Sequence, residues 1–184
     1  HVSPHSKIKR REKRGKTTSG NSGKYELNQK HDKQEPGGKG DDKMPHGIKP
    51  MLARLVDEPF DSKDWIFEIK WDGYRAIAEI ESGNVWLYSR NLLSFNHKYA
   101  RIVNALKKLG VDAVLDGEVV VLNENGFSSF QKLQNYEENP EPNLFYMVFD
   151  ILYLNGHDLR ELPLTERKKV LHKLLEQDLP GIKY

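Results

Sequence analysis

Apolar positions are sparse until Lys49 and then become dense and periodic. Between His1 and Lys49 the large apolar residues are only Val2, Ile8, Tyr25, Leu27, Met44 and Ile48. So little apolar surface cannot offset the entropy of ordering a backbone, which predicts a disordered linker over residues 1–47. Folded structure is expected to start near Lys49-Pro50-Met51-Leu52-Ala53, giving a domain over residues 48–184. Trp65 to Trp71 alternates, with Trp65, Phe67, Ile69 and Trp71 on one face and Glu68 and Lys70 on the other. Tyr74 to Ile80 alternates again, and Ser82-Gly83-Asn84 turns the chain into Val85–Ser89, predicting an antiparallel meander with one packed face.

Helical spacing follows in Tyr99, Ile102, Val103, Leu106 and Leu109, stopped by Gly110. Ala113 to Leu122 reads as β-rich, Ser129 to Tyr136 as a short helix, and Leu144 to Leu154 as a long strand ended by Asn155-Gly156. Thr165 to Gln177 is amphipathic, with Val170, Leu171, Leu174 and Leu175 inward and Thr165 placed to cap it. Strands joined by hairpins with helices packed outside predict an α+β domain on antiparallel sheet. No Gly-x-Gly-x-x-Gly and no phosphate-cradling loop ending in Gly-Lys-Ser/Thr occurs, which argues against a Rossmann or P-loop unit.

Charge divides at the same boundary. Residues 1–50 hold 13 Lys and Arg against 6 Asp and Glu, whereas the remainder holds 16 against 21. A basic tail thus precedes a mildly acidic domain. Its cluster Lys7-Ile-Lys-Arg-Arg-Glu-Lys-Arg-Gly-Lys16 either holds nucleic-acid phosphates by counterion release or is a solvated spacer. Without cysteine, disulfides, thiolate zinc sites and a cysteine nucleophile are excluded. No apolar run approaches the ~18 residues of a membrane span, and the N-terminus has no charged-then-apolar leader. A cytoplasmic protein with no membrane partner is the expectation. His1 in place of Met suggests an internal piece of a longer product.

The densest chemical signal is Glu68-Ile-Lys-Trp-Asp-Gly-Tyr-Arg75. On a strand Glu68 and Lys70 share a face, and Asp72-Gly73 turns the chain, so two carboxylates, an amine and a guanidinium crowd one patch. A neutral amine attacks phosphorus well, but holding lysine neutral at pH 7 costs roughly 4–5 kcal/mol. Burial and neighbouring cations lower that cost. Lys-x-Asp-Gly alone also fits an ordinary pair of exposed hairpin charges.

It is not alone. Lys70-Trp-Asp-Gly-Tyr-Arg75, Ser89-Arg-Asn91, Leu115-Asp-Gly-Glu-Val-Val120 and Phe149-Asp-Ile-Leu-Tyr-Leu-Asn-Gly156 occur in this order. Together they resemble motifs I, Ia, III and IIIa of the ATP-dependent DNA ligases, within the covalent nucleotidyltransferases. Pro50-Met-Leu-Ala53 and Glu58-Pro-Phe-Asp-Ser-Lys-Asp-Trp65 are most similar to the bacterial ligase D type, used in end joining. The resemblance runs from about Ile48 to the C-terminus. It implies an ATP-grasp-like adenylation domain, incomplete at its C-terminus, that acts on ATP with Mg²⁺ or Mn²⁺. It also implies nicked or broken duplex DNA as partner, near the bacterial nucleoid, with other domains of a larger ligase polypeptide.

By the same resemblance Lys70 attacks the α-phosphate and holds AMP as a phosphoramidate. Glu68 meets the adenine edge, Phe149 stacks on the purine, Arg75 touches ribose or phosphate, and Glu118 serves the ribose or a divalent metal. Asp116 is assigned only to shaping a turn. Arg90 matches a nucleic-acid phosphate contact, and Phe130 with Gln131 sits where an aromatic meets the minor groove. Phe149 is equally readable as a core aromatic, and Phe127 with Phe130 as a small local core. The seven histidines show no metal-ligand spacing, so the metal is expected on oxygen ligands and phosphates.

The family pattern continues into motifs IV, V and VI, which do not occur before Tyr184. A chain without them lacks half of the family's active site, which leaves its activity alone to be measured, and, with open sheet edges, is expected to associate. Rival readings are an RNA ligase or mRNA guanylyltransferase relative, and a non-catalytic nucleic-acid-binding fragment.

Overall fold

The structure, a computed structural model, describes residues 8–10 and 40–184, the first three as backbone only. Most of the basic cluster, and the bulk of the proposed linker, lies outside the described residues. In chain order the elements are β1 (Ile8–Arg10), β2 (Ile66–Glu68), β3 (Tyr74–Glu81), β4 (Asn84–Ser89), α1 (Ala100–Leu106), β5 (Ala113–Val121), α2 (Phe130–Gln134), β6 (Leu144–Leu154), β7 (His157–Asp158), α3 (Leu164–Leu174) and β8 (Ile182–Lys183). β1 and β2 pair antiparallel as a separate ribbon. The main sheet runs β4-β3-β5-β6-β7, with β8 joining β6 in parallel. The domain is therefore α+β, antiparallel apart from that one short pair.

Two hairpins show how local sequence sets register. Ser82 and Gly83 both have positive φ, as do Asn155 and Gly156. Two consecutive left-handed residues make the tight turn whose twist matches paired strands. The first joins β3 to β4, and the second joins β6 to β7 with Leu154 opposite His157. Helix α1 continues into a 3-10 turn over Lys107–Leu109 and stops at Gly110, whose φ of 65° suits glycine.

Packing differs from the one-sided meander expected from alternation. Residues Ala76 to Ile80 of β3 are all buried, so both sheet faces are covered. One face carries Ala76, Ala78, Ile80, Leu87, Leu115 and Val148 against Ile102 and Leu106 of α1, Leu133 of α2 and Leu171 of α3. The other face carries Ile77, Tyr88, Val114 and Tyr153 beneath Met44 and Ile48. Residues from Gly40 onward, ahead of the predicted boundary at 48, therefore pack on the sheet. Gly40 N–H donates to the Asn155 carbonyl and Asp42 N–H to that of Gly156, each at 2.8 Å. A methyl group on Gly156 would lie 2.1 Å from the Gly40 oxygen, so the strap is laid down glycine on glycine.

Two further expectations fail locally. Trp65–Trp71 does not form one long strand: β2 ends at Glu68, while Phe67 is 37% and Ile69 70% exposed. Thr165 does not cap α3 either, because the helix starts after Pro163, which occupies the cap position without a side-chain bond.

Candidate nucleotide site

Alternation along β3 puts Arg75, Ile77 and Glu79 on one face, and register places Arg75 opposite Glu118 and Ile77 opposite Asp116. Arg75 donates from Nε to Asp116 Oδ1 at 2.5 Å and from Nη2 to Oδ2 at 2.6 Å. This planar fork holds the guanidinium still. Asp116 is buried in the middle of β5, so its expected role in a turn is replaced by an ion pair across two strands. Burial opposes the charge on Arg75, but the Asp116 bond and the charges of Asp116, Glu118 and Tyr146 together outweigh it and raise the guanidinium pKa.

Phe149 reaches the same place through an irregularity of β6. Gly117 pairs with Val148 and Asp116 with Asp150, leaving Phe149 as an extra residue between them. Such a bulge re-aims a side chain that regular pleating would direct elsewhere. Half-buried, Phe149 has the Arg75 guanidinium carbon 4.5 Å from its ring centroid.

Glu118 lies beside both. Burial pushes its carboxyl up to about 7, against the lowering effect of Arg75; Asp116 raises it, while Lys70 and the Gly73 N–H lower it. Gly73 admits no substitute, since a Cβ there would sit 2.0 Å from the Val119 oxygen. Its close approach lets the segment carrying Lys70 lie along β5. Asp72 N–H adds a 3.1 Å bond to Ser128 Oγ, fixing the same turn from the other side.

Lys70, Glu68, Arg75, Glu118 and Phe149 converge on one cavity of about 310 Å³, with Trp71, Lys168 and Tyr184 also in its lining. The five residues come from three separate sequence segments. Lys168 was not anticipated: its ammonium bonds Glu68 Oε1 and, at 2.9 Å, the Phe149 carbonyl. The buried Asp150 was the available clue, because a carboxylate within an apolar strand requires a cation. Arg167 supplies it, with Nε to Oδ1 at 2.8 Å and Nη2 to Oδ2 at 3.1 Å.

Arg90 stands apart and exposed, in the loop after β4. Ser89 Oγ accepts from Asn91 N–H at 3.3 Å and Leu93 N–H at 3.1 Å, and Leu92 adopts a φ of 62°. The loop shape is thus set locally and presents Arg90 outward. Phe130 is half-buried against Tyr74, with ring centroids 5.2 Å apart, whereas Phe127 is 52% exposed. Among the described residues no three His, Cys, Asp or Glu form a metal cluster. No helix among them is long and apolar enough to cross a membrane.

The family described as ATP dependent DNA ligase domain matches residues 50–183. The chain belongs to that family. It is 44% identical over 135 residues to the multifunctional non-homologous end joining protein LigD of Pseudomonas aeruginosa, covering 72% of this chain and 16% of that protein. The SPbeta prophage-derived DNA ligase-like protein LigB of Bacillus subtilis is 33% identical over 137 residues, covering 73% of this chain and 50% of that one. Among solved structures, mycobacterial DNA ligase D complexed with ATP and MES superposes with a TM-score of 0.54 and 31% identity. That match covers 62% of this chain and 38% of the other. The chain therefore spans half or less of the length of these relatives, and its fold is that of a DNA ligase adenylation domain.

Proposed function

We propose that the cavity binds ATP and that Lys70 becomes adenylylated, as the first step of sealing 5′-phosphate/3′-hydroxyl breaks in DNA. The observation that carries this reading is the convergence of Lys70, Glu68, Arg75, Glu118 and Phe149 on one cavity. Membership of the family and the ATP named with the mycobacterial relative support it.

The neutral Lys70 amine donates its lone pair to the α-phosphorus, a P–N bond forms, and the bond to pyrophosphate breaks. The amine proton passes to solvent or phosphate, leaving a phosphoramidate. Phosphoryl chemistry of this kind depends on positioning and charge neutralisation more than on acid–base work. Phe149 offers the purine an aromatic face, Glu68 an acceptor for its edge, and Arg75 a cation pre-aimed by Asp116. Mg²⁺ or Mn²⁺ would neutralise phosphate charge when bound. Glu118 suits it, since a hard cation commonly takes one or two carboxylates and completes its shell with phosphates and water.

Arg90 and Phe130 are the proposed contacts to nicked or broken duplex DNA, with the basic segment ahead of the strap as a linker to other domains of a larger polypeptide. The non-homologous end joining named for the LigD relative supports a role in bacterial DNA repair by end joining, with action at the nucleoid. Intact-protein mass after incubation with ATP and Mg²⁺ tests the chemistry. The expected result is a gain of one AMP that disappears in Lys70→Ala. A gain that persists in Lys70→Ala would move the nucleophile elsewhere, and no gain at all would refute self-adenylylation by this chain.

A further inference from the structure

Lys168 bridges the two groups assigned to the base. Its ammonium is hydrogen-bonded to Glu68 Oε1 and to the backbone oxygen of Phe149. The side chain is 13% exposed and that of Glu68 is 22% exposed, so this pair is little screened by water. Helix α3 is held in place one residue earlier by the Arg167–Asp150 fork on β6. Lys168 therefore extends from an anchored helix, across the bulge at Phe149, to the strand that precedes Lys70. Tyr184 closes the other side, with its ring centroid 5.5 Å from the ammonium.

An unengaged carboxylate can accept from two parallel N–H groups. Guanine presents such a pair at N1–H and the N2 amino group, whereas adenine presents only its N6 amino group beside the N1 acceptor. A free Glu68 would therefore suit guanine better than adenine. With Oε1 already engaged by Lys168, Oε2 is the oxygen left without that donor, and the carboxylate matches one amino group better than a parallel pair.

We infer that Lys168 is a positioning residue for nucleotide selection, holding Glu68 as a one-oxygen acceptor so that the cavity takes an adenine nucleotide in preference to a guanine one. The inference rests on the reading of this cavity as a nucleotide site. It deepens that reading by naming what sets base preference.

Titration calorimetry of the full chain with ATP and with GTP separates the two. Wild type is expected to prefer ATP. Lys168→Met should lose ATP affinity roughly tenfold and lower the ATP-over-GTP ratio by at least as much, a coupling ordinary for neighbours in one network. Lys168→Arg, which keeps a cation and its donors, should retain the preference. In a Glu68→Gln background Lys168→Met should change the ratio little, because its effect runs through Glu68. ATP binding by wild type with an unchanged ratio in Lys168→Met would overturn the inference and leave the nucleotide site standing. The same ratio change with and without Glu68 would overturn it too. Absence of ATP binding by wild type would remove the nucleotide site and this inference together. Matching circular dichroism and thermal unfolding of the variants exclude misfolding as the cause.

Discussion

One face of the main sheet carries two buried acidic sites whose fates differ by what covers them. At the strap end, Glu79 accepts from Tyr88 Oη at 2.6 Å and Gly47 N–H at 2.7 Å, and His46 Nδ1 lies 3.0 Å from Oε2. Burial and the bond to Glu79 hold the Tyr88 hydroxyl well above its usual range. At the cavity end, Asp116 is equally buried but is satisfied by the Arg75 fork, and Glu118 is left facing the cavity with its carboxyl up to about 7. Residues 40–48 close the first end with backbone and side-chain donors; among the described residues nothing comparable closes the second. A carboxylate supplied with donors inside the fold serves the fold, whereas one short of them is suited to a cation or ligand.

Removing Asp116 should break this contrast most severely. Asp116→Ala leaves Arg75 without its buried partner, and about 3 kcal/mol of stability is expected to be lost, near the lower end for such deletions because a quarter of Arg75 is exposed. Urea denaturation reads this directly, and a loss below 1 kcal/mol would show the fork contributes little. At the strap end, Glu79→Ala strands the Gly47 N–H and leaves the Tyr88 hydroxyl with its longer 3.3 Å bond to the Ile48 carbonyl, costing about 2 kcal/mol. Hydrogen exchange should then quicken over residues 42–48 while the cavity strands stay protected. Uniform quickening would mean the two ends unfold as one.

Glu118 sharpens the comparison through pH. Its folded pKa is raised from 4.5 to about 7, so its neutral form is favoured on folding. That favourable term is present below pH 4.5 and is lost as pH rises through about 7. Glu118→Gln should therefore be more stable than wild type by ~1–2 kcal/mol at pH 8 and indistinguishable at pH 4, while losing adenylylation. Equal pH profiles for the two proteins would argue that Glu118 is well solvated. The smallest effect belongs to His46, whose pKa is raised above 6.5 chiefly by its bond to Glu79, aided by the charges of Glu79 and Glu81. Its contribution is complete below 6.5 and fades as pH rises through the raised value. Strap exchange should quicken over that interval in wild type and not in His46→Gln.

Sequence alone determined most of the elements and the family. Hairpin dipeptides with positive φ, the Gly110 stop and the long apolar run of β6 are local properties, and each could be read from neighbours along the chain. The ordered segments around Lys70, Arg90, Glu118 and Phe149 likewise pointed to one family, which the match over residues 50–183 bears out. Tertiary structure decided the rest. Asp116 could not be assigned to Arg75 from spacing, because the pair is 41 residues apart and meets only through strand register. The same holds for Lys168 and Glu68, separated by 100 residues. The strap escaped composition because Met44 and Ile48 are too few to fold alone, yet suffice once Ile77, Tyr88 and Tyr153 offer a preformed surface. Trp65–Trp71 shows the converse: an alternating pattern states that a strand is possible, but the hydrogen bonds that make it one belong to its neighbours.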